Sequence, residues 1–309
     1  MGRLTQLFML GLGLPKPPKL HGPLAVNAKM MDVDYILRGK IDGPESLVVE
    51  GDDIYTGLYD GRVVHIRDGK IVKEVRFTKQ KNCGNFKAEP ICGRPLGIRR
   101  LNQKELVVAD AYLGIYIVDM KAGTFRQIVD SLLPFEGRYM LFINDIEVLN
   151  EDEIVFTDSS SEWDRRRVVH IILSHHPTGR LDLETGKMTM FAENLPGLPD
   201  NIRNGSDNTL WVGMAGVRHA DKLSLIDSAG AHPYIRQLLL DIIPEHWWID
   251  MIHMMRPPHA MIVQLDADGR IIQSMHDTSG KYVKDVSQVN RFSIIFLISH
   301  LMKQKKANL

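Results

Sequence analysis

The chain is short of several features that would mark a protein class. Its 309 residues include only two cysteines, and 38 basic and 38 acidic side chains leave a formal net charge of +0. With no long basic run to break that balance, the composition argues against nucleic-acid binding through a broad electrostatic face. No apolar run reaches the roughly 20 residues that a membrane-spanning helix needs. The stretch Leu7 to Leu14, set between Arg3 and Pro15-Lys16-Pro17-Pro18, reads equally as a weak signal sequence, a shortened anchor or a hydrophobic arm. Ile294 to Met302 is also too brief to span, and reads as a substitute edge strand or a short helix. Ser159-Ser160-Ser161 lacks the Gly-x-Ser-x-Gly elbow that exposes a nucleophile, so Ser-His-Asp hydrolysis has no support.

The two cysteines, Cys83 and Cys92, share one turn-rich stretch. A disulfide closing that loop is favoured over two free thiols, and a zinc site would need two further ligands nearby. Such a bond implies maturation in an oxidising compartment. Asn204-Gly205-Ser206 is a glycosylation sequon at a turn, which fits a lumenal protein.

What the sequence does have is repetition. A short apolar strand, a polar turn and a second apolar strand recur: Asp53 to Gly57 leads to Gly61 to Ile66, and Leu106 to Asp110 leads to Gly114 to Asp119. The pattern returns at Ile154 to Asp158 and at Leu210 to Gly213. A period of about 45 to 50 residues with four short strands per unit is the signature of a β-propeller. The fold predicted is therefore all-β, over residues 43–290, with a lead-in at 1–42 and an atypical tail at 291–309. Blades open at Gly43-Pro44-Glu45-Ser46, Gly93-Arg94-Pro95-Leu96, Asn144-Asp145-Ile146 and Pro199-Asp200-Asn201-Ile202, with a last inner strand at Val286 to Val289. Residues 234–256 have helical spacing interrupted by Pro244, and read as a helical insertion that packs on the propeller rim.

At these openings the chain resembles the strictosidine synthase-like family, most closely its animal, membrane-associated branch. The likeness is carried by Gly43 to Ser46, Asp60 to Val64, Cys92 to Ile98, Val108 to Tyr112, Phe156 to Ser161, Pro196 to Arg203 and Trp211 to Met214. It implies a six-bladed propeller related to calcium-dependent lactonases and paraoxonases, with arylesterase-type hydrolysis of a small ester or lactone. Two departures bear on that expectation. Asn144 and Asp200 stand only 56 residues apart, shorter than the family's spacing by about one blade. With that blade goes the Phe-Pro-Asn-Gly strand that supplies an asparagine to the family's site. The tail, Arg291 to His300 and beyond, replaces the family's His-Asp-Gly turn and closing strand. Five blades or an incomplete ring is therefore expected, and an unclosed ring exposes strand edges.

The resemblance implies calcium ligands at Glu45, Asn144, Asp200 and Asn201, all oxygen donors as a hard cation requires. Taken singly, each is also an ordinary turn or strand-end residue. A base for water is expected at Glu45 or Asp200, or at Asp145 beside them. Asp145 has an alternative role holding a second, structural ion, although Ser46 stands where that ion would want an acid. Strictosidine synthesis itself is improbable, because Lys284 occupies the position of the plant enzymes' glutamate. His175-His176 precedes Pro177 and reads as a loop, since adjacent strand residues face opposite ways. Two functions compete: a calcium-dependent ester or lactone hydrolase, and a non-catalytic interaction protein of the secretory or membrane system that binds through Trp247-Trp248 or the apolar tail.

Overall fold

The computed structural model describes residues 16–31, 35–134, 139–160, 163–168, 180–181, 188–189, 192, 194–205, 208–220, 232–244, 247, 258–283 and 286. Outside them lie the apolar run at 7–14, His175-His176, Trp248 to Met255, Lys284, most of the last inner strand and the tail. The described residues fall into two compact units, one of 35–166 and one of 16–31 with 167–286.

In the first unit, β1 (Leu47–Glu50), β2 (Asp53–Gly57), β3 (Arg62–Arg67) and β4 (Lys70–Arg76) form a four-stranded antiparallel meander in the order 1-2-3-4. β5 (Pro95–Arg100), β6 (Glu105–Asp110), β7 (Gly114–Asp119) and β8 (Thr124–Asp130) repeat it, and β9 (Ile143–Asn150) pairs with β10 (Glu153–Asp158). These meanders are propeller blades. The β3–β4 hairpin turns at Asp68-Gly69, both at positive φ, the dipeptide that primed two-residue turns demand.

The second blade is buried on both faces, which explains why β6 reads as a continuous apolar run rather than an alternating one. Leu106 and Val108 pack with Val48, Val63 and Val75 of the first blade. Val107 and Ala109, pointing the other way, pack with Ile143 and Ile146 of β9. Outer strands β4 and β8 are largely exposed and carry Lys70, Lys73 and Arg126, charges that discourage edge-to-edge pairing.

Cys83 and Cys92 are joined in a disulfide across a sequence separation of 9, as favoured above. The bond ties the loop to the short helix α1 (Glu89–Cys92). Replacing both cysteines by serine is expected to cost about 2 to 3 kcal/mol, read as a lowered midpoint in thermal unfolding. An unchanged midpoint would show that the loop is held by its packing alone.

In the second unit, β11 (Arg180–Leu181) pairs with β12 (Met188–Thr189), and β13 (Gly197–Asn204), β14 (Leu210–Val217), β15 (Ala260–Leu265) and β16 (Ile271–Asp277) form another four-stranded blade. The helical insertion is present as α2 (Pro233–Ile242), opened by a proline whose fixed φ suits the first turn and ended just before Pro244. The lead-in is strapped to this blade. Leu20 and Leu24 pack on Val212, Met214 and Met261. Ser274 Oγ donates to Pro23 O at 2.7 Å, and Asn27 Nδ2 donates to Ser274 O at 2.9 Å.

Candidate functional site

Two adjacent pairs of the expected site residues occupy the same irregularity. In the first unit Ile143 pairs with Asp158 and Ile146 with Phe156, so Asn144 and Asp145 together face Thr157 alone. In the second unit Pro199 pairs with Met214 and Ile202 with Val212, so Asp200 and Asn201 together face Gly213 alone. Each is a two-against-one β-bulge on the first strand of its sheet. A bulge re-aims a side chain and bends the strand, so an adjacent pair is freed from pointing to opposite faces. β5 carries an extra residue near its start as well, since Pro95 pairs with Asp110 and Gly97 with Ala109.

The first unit holds Glu45, Asn144 and Asp145. Glu45 and Ser46 immediately precede β1, with 6% and 0% of their surface exposed. Asn144 Nδ2 donates to Ser159 Oγ at 3.2 Å, which leaves the amide carbonyl as its acceptor toward a cation. The Asp145 N–H donates to Thr157 Oγ1 at 3.0 Å, capping the bulge.

Between these residues lies Arg99 of β5, which sequence reasoning missed. Its Nη1 donates to Ser46 Oγ at 3.2 Å and to Ile98 O at 2.8 Å. Nη2 reaches both Asp145 oxygens at 3.2 and 3.3 Å, and Nε reaches Glu147 Oε2 at 2.9 Å. One planar guanidinium thus ties the residue beside Glu45 to the residue beside Asn144. β9 approaches closely here because position 97 is glycine: a Cβ there would stand 2.9 Å from Ile146 N and 3.0 Å from Asp145 Cα. The sequence hint of Arg99 is a charge near the end of β5, a strand that begins apolar.

Behind Glu45 lies a buried charged cluster. Arg94 is fully buried, and burial, then Arg165, pulls its guanidinium down to about 10, while Glu45, Glu89 and Asp110 act to raise it. Burial pushes the Asp110 carboxyl up to about 6, against N–H donors from Tyr112, Arg94 and Leu113. Gly93, at φ +85, leaves no room for a side chain, since a Cβ would come 2.5 Å from Asp110 Oδ2.

In the second unit Asn201 has 4% of its surface exposed and Asp200 is half-buried. Asn204 of the sequon ends β13, exposed at the hairpin. Among the described residues, no three His, Cys, Asp or Glu side chains gather as a metal group. Two of the four expected ligands are asparagines, and the donor set, two carboxylates and two amides, fits calcium chemically. Among the described residues, no helix is long and apolar enough to cross a membrane.

The chain is similar to known proteins over most of its length. The family signature described as strictosidine synthase-like, N-terminal, matches residues 22–66, and that of strictosidine synthase matches 144–199. The adipocyte plasma membrane-associated protein of Salmo salar is 31% identical, over 90% of this chain and 78% of its own length. That of Homo sapiens is 30% identical, again over 90% and 78%. Strictosidine synthase-like protein 10 of Arabidopsis thaliana is 27% identical, over 93% and 89%. At 31% identity over 90% of its length, the chain belongs to the strictosidine synthase-like family of β-propeller proteins.

Proposed function

We propose that this protein is a calcium-dependent hydrolase of ester or lactone substrates, arylesterase-like, with Glu45, Asn144, Asp200 and Asn201 as the oxygen ligands. The observation that carries the reading is the repeated bulge, which sets an amide and a carboxylate side by side at two blade openings. Calcium, when bound, supplies positive charge to polarise a carbonyl and to stabilise the oxyanion that forms as water attacks. Glu45 and Asp200 supply compensating negative charge, and Asn144 and Asn201 complete the oxygen set without adding more. Carboxylates facing a dication are held ionised and are weak proton acceptors. Asp145 is engaged by Arg99 and by the Ile146 N–H at 2.9 Å, which gives it a structural part.

The expected behaviour is hydrolysis of phenyl acetate that EDTA abolishes and calcium restores, with Glu45→Gln lowering it at least a hundredfold. Hydrolysis indifferent to both chelation and Glu45→Gln would sink the reading. The disulfide and the membrane-associated relatives fit a protein of the secretory pathway or a membrane.

A second reading, a non-catalytic interaction protein, is favoured by one observation. Tyr234, Leu238 and Ile242 recur every four residues on α2, and all three are exposed, as are Ile235 and the nearby Trp247. Replacing Leu238 and Ile242 by glutamate should abolish partner or vesicle binding under this reading and leave ester hydrolysis untouched under the first.

A further inference from the structure

The first unit carries a feature that neither reading of its function uses, the loop from Phe77 to Gly93 between β4 and β5. Strand pairing places it. Leu47 pairs with Thr56, Pro95 with Asp110 and Gly114 with Asp130, so the β2–β3 turn, the β6–β7 turn and the end of β8 share the edge at which β1 and β5 start. The loop runs across that edge. Gly84 lies against Asp60, where a Cβ would stand 3.3 Å from Asp60 Cβ, and Gly61 lies against the Cys92 carbonyl, so the β2–β3 turn is covered. The Tyr112 hydroxyl, from the β6–β7 turn, donates to Glu89 Oε2 of α1 at 2.6 Å. The Ser131 hydroxyl donates to Tyr112 O, which brings the segment after β8 alongside.

This surface is basic and apolar at once. Lys79, Lys81 and Lys87 are exposed, and among the described residues their ammonium groups meet no acid. The carboxylates of the loop and of the turns it crosses are already engaged. Asp60 is held by Arg62 and Arg76, Glu89 by Arg165 and Tyr112, and Asp130 accepts from the Leu132 N–H at 2.9 Å. Exposed Asp42, whose carbonyl accepts from the Tyr59 N–H, is matched by exposed Lys40. Beside the lysines stand large apolar side chains turned to water. Ile91 of α1 is 56% exposed, and Leu132 and Leu133, next to Ser131, are 71% and 64% exposed.

A soluble polyanion would meet the lysines and gain nothing from the apolar side chains. A bilayer containing anionic lipid meets both, because basic side chains pair with its headgroups while apolar ones enter the boundary between headgroups and acyl chains. The disulfide closes the loop between Cys83 and Cys92, so contact orders little that is not ordered already.

We propose that this disulfide-braced loop, with Leu132-Leu133 beside it, is a docking surface for an anionic lipid bilayer. Lys79, Lys81 and Lys87 lie against the headgroup phosphates and carboxylates, and Ile91, Leu132 and Leu133 enter the interface. The surface is distinct from the apolar face of α2, which has no such basic partners among its exposed residues.

The test is cosedimentation of the full chain with vesicles of phosphatidylcholine alone and of phosphatidylcholine mixed with phosphatidylserine. Binding to the mixed vesicles is expected to be tighter by about tenfold or more, with the preference lost in about 1 M salt, where the Debye length shrinks to about 3 Å. Lys79→Gln, Lys81→Gln and Lys87→Gln together should lower affinity for the mixed vesicles about a hundredfold, at an unchanged thermal midpoint because all three are exposed. Leu132→Ser with Leu133→Ser should lower it about tenfold. Equal affinity for the two kinds of vesicle would assign attachment to an uncharged apolar face and overturn the proposal, as would full affinity in the triple lysine variant. Binding to soluble heparin without pelleting on the mixed vesicles would show a surface for a polyanionic glycan and overturn it as well.

Discussion

Glu89→Ala is expected to lower the unfolding free energy by about 3 to 5 kcal/mol. Its carboxylate is fully buried and accepts from Arg165 Nη1 at 2.7 and 2.8 Å and from the Tyr112 hydroxyl at 2.6 Å. Truncation leaves the Arg165 guanidinium buried without its counter-charge, in a cluster that already holds Arg94. The effect is large because one carboxylate offsets the desolvation of the guanidinium, and truncation leaves that cost uncompensated. Tyr59 reports the same environment, its phenol pushed up to about 12 by burial and then by Glu89. At 2 to 4 °C per kcal/mol the midpoint should fall by about 10 °C, and a urea titration should show the same loss. Removing both charges, as Glu89→Met with Arg165→Leu, should recover much of it, because a well-packed apolar pair needs no counter-charge. A loss below about 1 kcal/mol in Glu89→Ala would contradict the assignment of the pair as buried.

Arg99→Ala is expected to weaken calcium binding about 10- to 100-fold while the protein stays folded. Arg99 would contact no ion itself. It holds Ser46, next to Glu45, and Asp145, next to Asn144, so its loss lets two ligands drift. Arg99→Lys should recover little, since an ammonium is a point charge and cannot span Ser46, Asp145 and Glu147 at once. Calorimetric titration of calcium into each variant gives the affinity directly. Equal affinities in the parent and Arg99→Ala would show that the clamp holds blades rather than ligands. With Arg99 on Asp145 and a serine at position 46, the positive charge that stands at this spot is a guanidinium.

Stability should also depend on pH through His276. Its folded value, about 4, lies below the ordinary histidine value of 6.5, so the unfolded chain takes up a proton that the folded one refuses. Stability should therefore fall as pH drops from about 6.5 toward 4. His276→Gln should flatten that slope in a series of thermal melts, and an unchanged slope would place the ring's titration outside the folded-state balance.

The propeller was legible because its cause is local. Strand and turn chemistry repeats within a few residues, as at Asp68-Gly69, and β6 announces a doubly buried strand by its unbroken Leu-Val-Val-Ala run. The disulfide was legible for the same reason, two cysteines in one short loop. The bulges were not, because a register shift depends on how many residues the partner strand supplies, and nothing in Asn144-Asp145 states that Thr157 alone will face them. Arg99 and the contacts of His219, His259 and His276 are less readable still. Ser46, Arg99 and Asp145 lie about 50 residues apart from one to the next, and the three histidines meet through the strand pairing of one sheet, to which Ser274 ties Pro23 of the lead-in. What the sequence offers there is only residue type, a histidine or an arginine, with no period to mark it.

The most direct measurement of the central claim is calcium binding to chelator-stripped protein by calorimetry, with thermal unfolding on the same samples, because a ligand raises the midpoint only where the native state holds it. Saturable binding, a raised midpoint and loss of both in Asp200→Ala is the predicted result. A folded protein that takes up no calcium would contradict the claim, and the exposed face of α2 would then become the place to look for function.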